Sequence, residues 1–322
     1  MVKARVAVSL LSTAALCWAA SLGAQGYPSK PIRVIVPSAP GGAIDVTART
    51  LTPRLAEALK QPVYVDNRAG AQTIIGTELA SKSAPDGATL LAVFDNFPLT
   101  QYMMKNVPYD AIRDFAPISL IIRGPMIVGV PPQLGVRDLK QFVQLAKSKA
   151  GDLNYGSAGI GTSSHLTVEL FKLTAGIDVR SVHYKGAAPA VVDLIGGTTQ
   201  LMIAASGTLI NHVKSGKVLA LAVSAPKRIP QLPSVPAIAE FYPGFEAQSW
   251  VGLLGPAGMS REIIGRLNSE VAKVLGDPDI RRRFEDQGWE VVGGTPEYFA
   301  KWLADQSEKW VRVIRERNIT LE

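Results

Sequence analysis

Apolar positions along this chain fall into short continuous blocks and longer stretches of three- and four-residue spacing. Residues 30–37, Lys-Pro-Ile-Arg-Val-Ile-Val-Pro, read as a buried strand. Residues 44–60 carry helical periodicity until Pro62 ends it. The alternation repeats with a strand at 63–66, a helix at 69–83 opened by glycine, the Asp86-Gly87 turn and a strand at 89–94. This is the order of a parallel sheet with crossover helices. After residue 114 come two strands, 118–122 and 126–130, split at Gly124-Pro125. A second α/β run follows, with helices at 138–149, 164–174, 187–195 and 210–215, and strands ending at 156, 183, 205 and 223. The apolar run 250–255 leads into a mainly helical end: 260–275, 278–287 and 297–317, with a short strand at 290–292. In the last helix Trp302 and Trp310 share one face, as core residues do.

The apolar crossings near Pro125 and Trp250 predict an α/β chain of two domains, one inserted into the other. The expected divisions are 27–124 with 251–322, and 125–250. Two connecting strands leave a ligand cleft between them. In open α/β sheets, ligands sit where the C-terminal ends of strands present loops and helix N-termini. Asp95 and Asn96, after one strand, and Ala205 and Ser206, after another, are therefore expected at the cleft.

The first residues follow another rule. Lys3 and Arg5 precede an apolar stretch at 6–22, and small residues follow at Gly23 and Ala24. Residues 1–24 read as a cleaved secretory signal peptide, too short and wrongly flanked for a membrane span. The one cysteine, Cys17, lies inside that stretch behind Leu16, where lipid attachment wants a small residue. The exported chain then has no cysteine, so disulfides and thiolate metal sites are not expected. Net charge falls from +7 to about +5 once the leader is lost. Basic residues are dispersed apart from Arg281-Arg282-Arg283, read as a solvated helix face, so nucleic-acid binding is not expected.

Two glycine-rich turns carry the candidate chemistry. Pro40-Gly41-Gly42-Ala43-Ile44-Asp45 follows a strand and opens a helix. Glycine lets backbone amides approach a ligand closely, and a helix N-terminus offers unpaired amides and partial positive charge to an anion. Asp45 fits a capping role there. The second turn, residues 155–165, has the same placement and adds the hydroxyls of Ser157, Thr162 and Ser163. Together the two turns could hold one anion from both sides of the cleft.

Enzyme readings find less support. Gly159-Ile160-Gly161 resembles a dinucleotide fingerprint, but Asp178 stands before the next strand instead of at its end. The hydrolase elbow Gly-x-Ser-x-Gly fails around Ser157 because Tyr155 replaces the first glycine. The three histidines, His165, His183 and His212, form no zinc spacing. No cofactor, metal or catalytic set is expected. The competing readings are an exported hydrolase using Ser157 or Ser163 with His165, and a sensory receptor.

Further motifs then align over nearly the whole chain. They are Tyr27-Pro28-Ser29-Lys30-Pro31-Ile32, the first glycine turn, Val65-Asp66-Asn67-Arg68-Ala69-Gly70-Ala71, Pro85-Asp86-Gly87, Val107-Pro108-Tyr109-Asp110, Asp114-Phe115-Ala116-Pro117, the second glycine turn with His165-Leu166, Tyr184-Lys185-Gly186 and Pro233-Ser234-Val235-Pro236. In these the chain resembles the periplasmic receptors of tripartite tricarboxylate transporters, the Bug family. The resemblance implies a two-domain, periplasmic-binding-protein-like fold of the Venus flytrap type, type 2-like. It also implies a monomer that delivers a small carboxylate (a di- or tricarboxylate, aromatic acid or amino acid) to transporter membrane subunits. Carried over to this sequence, the ligand residues would be Gly41, Gly42 and Asp45 on one side. On the other they would be Ser157, Gly161, Thr162, Ser163 and His165, with Tyr184 and Lys185 nearby. Departures fall at Gln72-Thr73, where the family commonly has glycine, at Asp95-Asn96-Phe97, at His183 and at Ala204-Ala205-Ser206. The loops after the strands are expected to set specificity.

Overall fold

The computed structural model describes residues 26–321. The expected signal peptide and Cys17 lie outside the described residues.

Strands β1 (Ile32–Val36), β2 (Val63–Asn67) and β3 (Thr89–Phe94) pair in parallel, with β1 central. Parallel neighbours need crossover connections, and helices α1 (Ala43–Leu59) and α2 (Ile74–Ser81) supply them. Alternation in α1 is amphipathic: Ile44, Ala48, Leu51, Leu55 and Leu59 are buried against Ile32, Val34 and Val36 of β1. Helix α2 begins later than its apolar pattern indicates. Residues 71–73 make a separate short turn, and Ala71, Gln72 and Thr73 all have positive φ, at 44°, 53° and 79°.

A short helix, α3 (Thr100–Met103), leads to β4 (Phe115–Val130), which is one continuous strand and not two. Through Pro125 it runs antiparallel to β9 (Gln248–Pro256), and β10 (Glu290–Gly293) pairs on its other side. From Met126 onward its partners are β7 (Met202–Ala205) and β8 (Leu219–Val223). Gly124-Pro125 therefore marks a change of partners, where a missing N–H interrupts the ladder least.

The second body also holds α4 (Leu139–Ser148), β5 (Asn154–Ser157), α5 (Ser163–Ala175), β6 (Arg180–His183), α6 (Ala187–Gly196) and α7 (Ser206–Lys214). β5 pairs in parallel with β6 and bridges to Leu201 just before β7. Helix α7 starts at Ser206, four residues earlier than periodicity predicts, and follows β7 directly.

After β9 come α8 (Arg261–Leu275), α9 (Pro278–Glu285) and the long α10 (Pro296–Glu316). The last helix straddles both bodies. Phe299 and Leu303 join the cluster around Trp250, whereas Trp310, Val313 and Ile314 join the cluster of Phe142, Tyr155 and Phe171. An ion pair from Arg317 to the buried Glu169, at 2.6 Å, fastens its far end to α5. Trp310 is core, as its spacing predicts, and Trp302 is partly buried beneath Arg123.

Candidate functional site

The first glycine turn joins β1 to α1. Gly41 has φ 88°, a conformation that excludes ordinary side chains. Gly42 caps α1 with extended backbone and no side-chain bond, so no side chain of the cap residue occupies the first-turn amides. Asp45 lies buried behind the turn instead of facing a ligand. Its carboxylate accepts from the Gly41 N–H at 2.9 Å, from Asn67 Nδ2 at 2.9 Å and from Arg49 Nε at 3.0 Å. Asn67 also donates to the Ser38 carbonyl. Burial works to raise the Asp45 pKa, and these bonds outweigh it, holding the carboxyl below its ordinary value. Asp45 shapes the turn from beneath.

Gly41 and Gly42 line a cleft of about 860 Å³. Across it stand Lys185 and Gly186, which lead into α6, and then Ala187, Ala188 and Pro189. Gly207 and Thr208 of α7, with Gln287 and Trp289, form another wall. The N-termini of α1, α6 and α7 thus approach one space, and none has a side-chain cap. Lys185 and His212 are the basic residues of the lining, and no acidic residue lines it among the described residues. Helix N-termini and one lysine around a space without carboxylates favour an anion. Val46 and Val192, 39% and 67% exposed, add apolar wall on opposite sides.

The second glycine turn is differently occupied. The Ala158 N–H donates to Ser164 Oγ at 2.9 Å, and the Gly161 N–H to His165 Nδ1 at 3.0 Å. Thr162 Oγ1 donates to the Gly159 carbonyl at 2.7 Å. Accepting from Gly161 places the His165 proton on Nε2. Burial, helped by the neighbouring His183, pushes His165 down to about 4 and keeps it neutral. Ser157 is fully buried, with Oγ 2.7 Å from His183 Nδ1. The Ser157–His165 pair of the hydrolase reading is thus not formed: each side chain has another partner. Tyr184 is likewise committed: its hydroxyl donates to Asp193 at 2.5 Å, and burial, helped by that carboxylate, pushes its pKa up to about 12. At Gly161, φ is 73° and a Cβ would meet Met103 of α3 at 2.8 Å. The second turn is therefore packed against the segment that follows β3.

That segment carries Asp95 and Asn96. Phe97 is buried and stacks edge-on against Phe115 at 5.2 Å, fixing the loop to the core. The Asn96 carbonyl accepts from the Leu99 N–H. Asp95 is 3% exposed and accepts from Ser249 Oγ at 2.6 Å. Burial pushes its carboxyl up to about 7, against the opposing pull of Ser249, of Ser163 in the second turn and of the Asn96 N–H. Ala205 and Ser206 do not line the cleft. Ala205 packs into the cluster beneath β1 and α1, and Ser206 Oγ donates to the Gly288 carbonyl at 2.9 Å. Their successors Gly207 and Thr208 reach the wall because α7 starts at Ser206. Sequence reasoning missed these two and the Gln287–Trp289 wall; the helix-start rule could have found the former, while nothing local marks Trp289.

The comparisons with known proteins agree with this architecture. The family model for the tripartite tricarboxylate transporter family receptor (TctC) matches residues 47–319. Protein BugT of Bordetella pertussis is 36% identical over 307 residues, covering 94% of each chain. The solved structure of Rhodopseudomonas palustris MatC with bound malate superposes with TM-score 0.80 at 29% identity, covering 89% of this chain and 100% of that one. R. palustris Rpa4515 with adipate superposes with TM-score 0.84 at 31% identity, covering 92% of this chain and 99% of that one. The fold is the two-domain α/β fold of periplasmic binding proteins, and this chain belongs to the tripartite tricarboxylate transporter receptor family.

Proposed function

We propose that this protein is an extracytoplasmic solute receptor that captures a small carboxylate and passes it, chemically unchanged, to the membrane subunits of a tripartite tricarboxylate-type transporter. The supporting observation is the convergence of three uncapped helix N-termini and Lys185 on one cleft with no acidic lining among the described residues. Relatives whose solved structures hold adipate and malate support the same ligand class. The domains proposed are 27–124 with 251–322, and 125–250, with residues 1–24 as the export signal.

In this mechanism the turn at Gly41 and Gly42 presents the first-turn amides of α1 to the carboxylate, the Gly41 N–H itself being held by Asp45, and Lys185 approaches from the opposite wall. Closure is selected because the ligand touches both walls only when they are near. Ser157, Gly161, Thr162, Ser163 and His165 act as the closing surface. The protein works as a monomer and needs no cofactor.

The test is a melting-temperature panel of mono-, di- and tricarboxylates, aromatic acids and amino acids on ligand-stripped protein. A ligand that binds only the native state raises the melting point by mass action. The expected result is a dose-dependent rise for one acid, recovered intact. Conversion of the acid would replace the receptor with an enzyme, and no rise for any acid would remove the carboxylate assignment.

A further inference from the structure

The cleft has a polar end and an apolar middle. Gly42 opens α1 and Gly186 opens α6, and both helices enter the lining at their N-termini. Val46 stands one turn into α1, its N–H donating to the Gly42 carbonyl at 2.9 Å, which at the α-helical rise is about 6 Å along the axis. Val192 stands six residues past Gly186, about 9 Å along α6. Both line the cleft, one from each body, and Ala188, Pro189 and Ile195 extend the wall around Val192.

Folding does not account for these two valines. Around Val46 the helix buries Ile44, Asp45, Thr47 and Ala48, and around Val192 it buries Ala190, Val191 and Leu194. Val46 and Val192 themselves stay exposed and join no hydrophobic cluster among the described residues. A lone exposed valine is ordinary, but two on opposite walls of one cleft, continuous with further apolar side chains, make the lining of a ligand pocket. Charge is distributed the other way. Lys185, beside Gly186, is the one lysine or arginine of the lining among the described residues, and the side chains of Thr208, His212 and Gln287 belong to the third wall. A carboxylate at the helix N-termini meets amides and Lys185. A second one, one to two turns along between the valines, would exchange water for apolar side chains.

We infer that Val46 and Val192 are specificity-determining residues that clasp the apolar body of the solute, so that the receptor takes acids with one carboxylate and an apolar chain or ring in preference to the matching diacids. The inference rests on the receptor reading above and narrows its ligand class. The acid group lies at the helix N-termini, and the chain or ring lies between the two valines when the walls close.

The experiment is titration calorimetry with acids that differ by one carboxylate: hexanoate against adipate, and benzoate against terephthalate. It uses ligand-stripped wild type, Val46→Thr and Val192→Lys, each checked for folding by circular dichroism. In wild type the monoacid of at least one pair should bind about tenfold or more tighter than its diacid. Hexanoate should also bind about tenfold tighter than butyrate, through its two added methylenes. Val192→Lys should lower the preference for the monoacid by about tenfold, since one acid loses an apolar contact and the other gains a cation. Val46→Thr keeps the shape of the wall and should weaken hexanoate about threefold while adipate is unchanged. Equal or tighter binding of both diacids to wild type would overturn the inference, leave the receptor reading intact and point to His212 for the second carboxylate. An unchanged preference in both variants would overturn it too, as the result of valines that only touch each other on closure. Failure of every acid to bind would remove both readings.

Discussion

The two glycine turns look alike in sequence, each a strand, a glycine-rich bend and a helix start, yet they are built for different work. In the first, the supporting side chain lies behind the turn: Asp45 accepts from Gly41 and leaves the face toward the cleft open. In the second, the side chains fold back on their own turn, with Ser164 and His165 accepting from Ala158 and Gly161. Each turn spends one glycine N–H on the side chain four residues on, Gly41 on Asp45 and Gly161 on His165, and they differ in what they face: the cleft for the first, Met103 for the second. The lesson is that glycine spacing marks a site of close approach, and what the fold sets opposite the turn, an open cleft or the Met103 side chain, decides what approaches.

The sharpest way to break this contrast is Gly161→Val. A side chain there has the wrong φ and would displace the end of the Met103 side chain. Closure should fail and solute affinity should fall by on the order of 100-fold, about 3 kcal/mol, with the fold retained by circular dichroism. Wild-type affinity in a folded Gly161→Val protein would sink the assignment of this turn as a closing surface.

Asp45→Ala attacks the other turn. It leaves Gly41 and Asn67 without their acceptor and should cost roughly 2 kcal/mol in urea unfolding at pH 7. The folded pKa of Asp45 is below the unfolded value, so its contribution is full above about pH 4 and is lost as pH falls through the folded value. The variant should therefore differ least from wild type in acid.

Two further groups have opposite signs over one pH range. His165 titrates at about 4 in the folded protein and near 6.5 unfolded. The native state binds fewer protons in that window, so stability should fall, by roughly 2 kcal/mol, as pH drops through it. His165→Asn keeps an acceptor for Gly161 and should flatten that slope. Asp95, raised to about 7, binds its proton more tightly when folded, so its effect is a loss of stability as pH rises from about 4 to 7. Asp95→Asn should consequently melt higher than wild type at pH 8 without ligand. A lower melting point there would contradict a carboxyl whose burial costs the folded state more than its partners return.

Much of this was legible in the chain. Apolar blocks and helical spacing located nearly every element, because burial on one face leaves a period that needs no tertiary knowledge. Pro125 misled: it breaks strands on average, but here it sits where β4 changes partners. Ser206 misled for another reason. Strand-end logic placed it near the cleft, and the helix that begins there turned its hydroxyl to Gly288, 82 residues away. The second-turn hydroxyls were recognised, but not that Thr162 is spent on the Gly159 carbonyl and Ser157 on His183, since that depends on side-chain directions. Trp289 reaches the cleft only through tertiary packing.

The smallest expected effect comes from a departure visible in sequence alone. Gln72 and Thr73 occupy left-handed conformations that suit glycine, and branched Thr73 at φ 79° is the more strained. Thr73→Gly should stabilise the protein by about 0.5–1 kcal/mol, read as a rise in the urea midpoint. No change would mean that Thr73 has contacts that offset its backbone strain.

The central claim is where the acid sits. The most direct measurement is a crystal structure of the protein with its tightest-binding carboxylate. The account predicts carboxylate oxygens within hydrogen-bond distance of backbone amides in the first turn of α1, with Lys185 on the opposite side. Density for the acid away from Gly41 and Gly42, for instance in the groove behind the strand crossing at Gly124-Pro125, would contradict it.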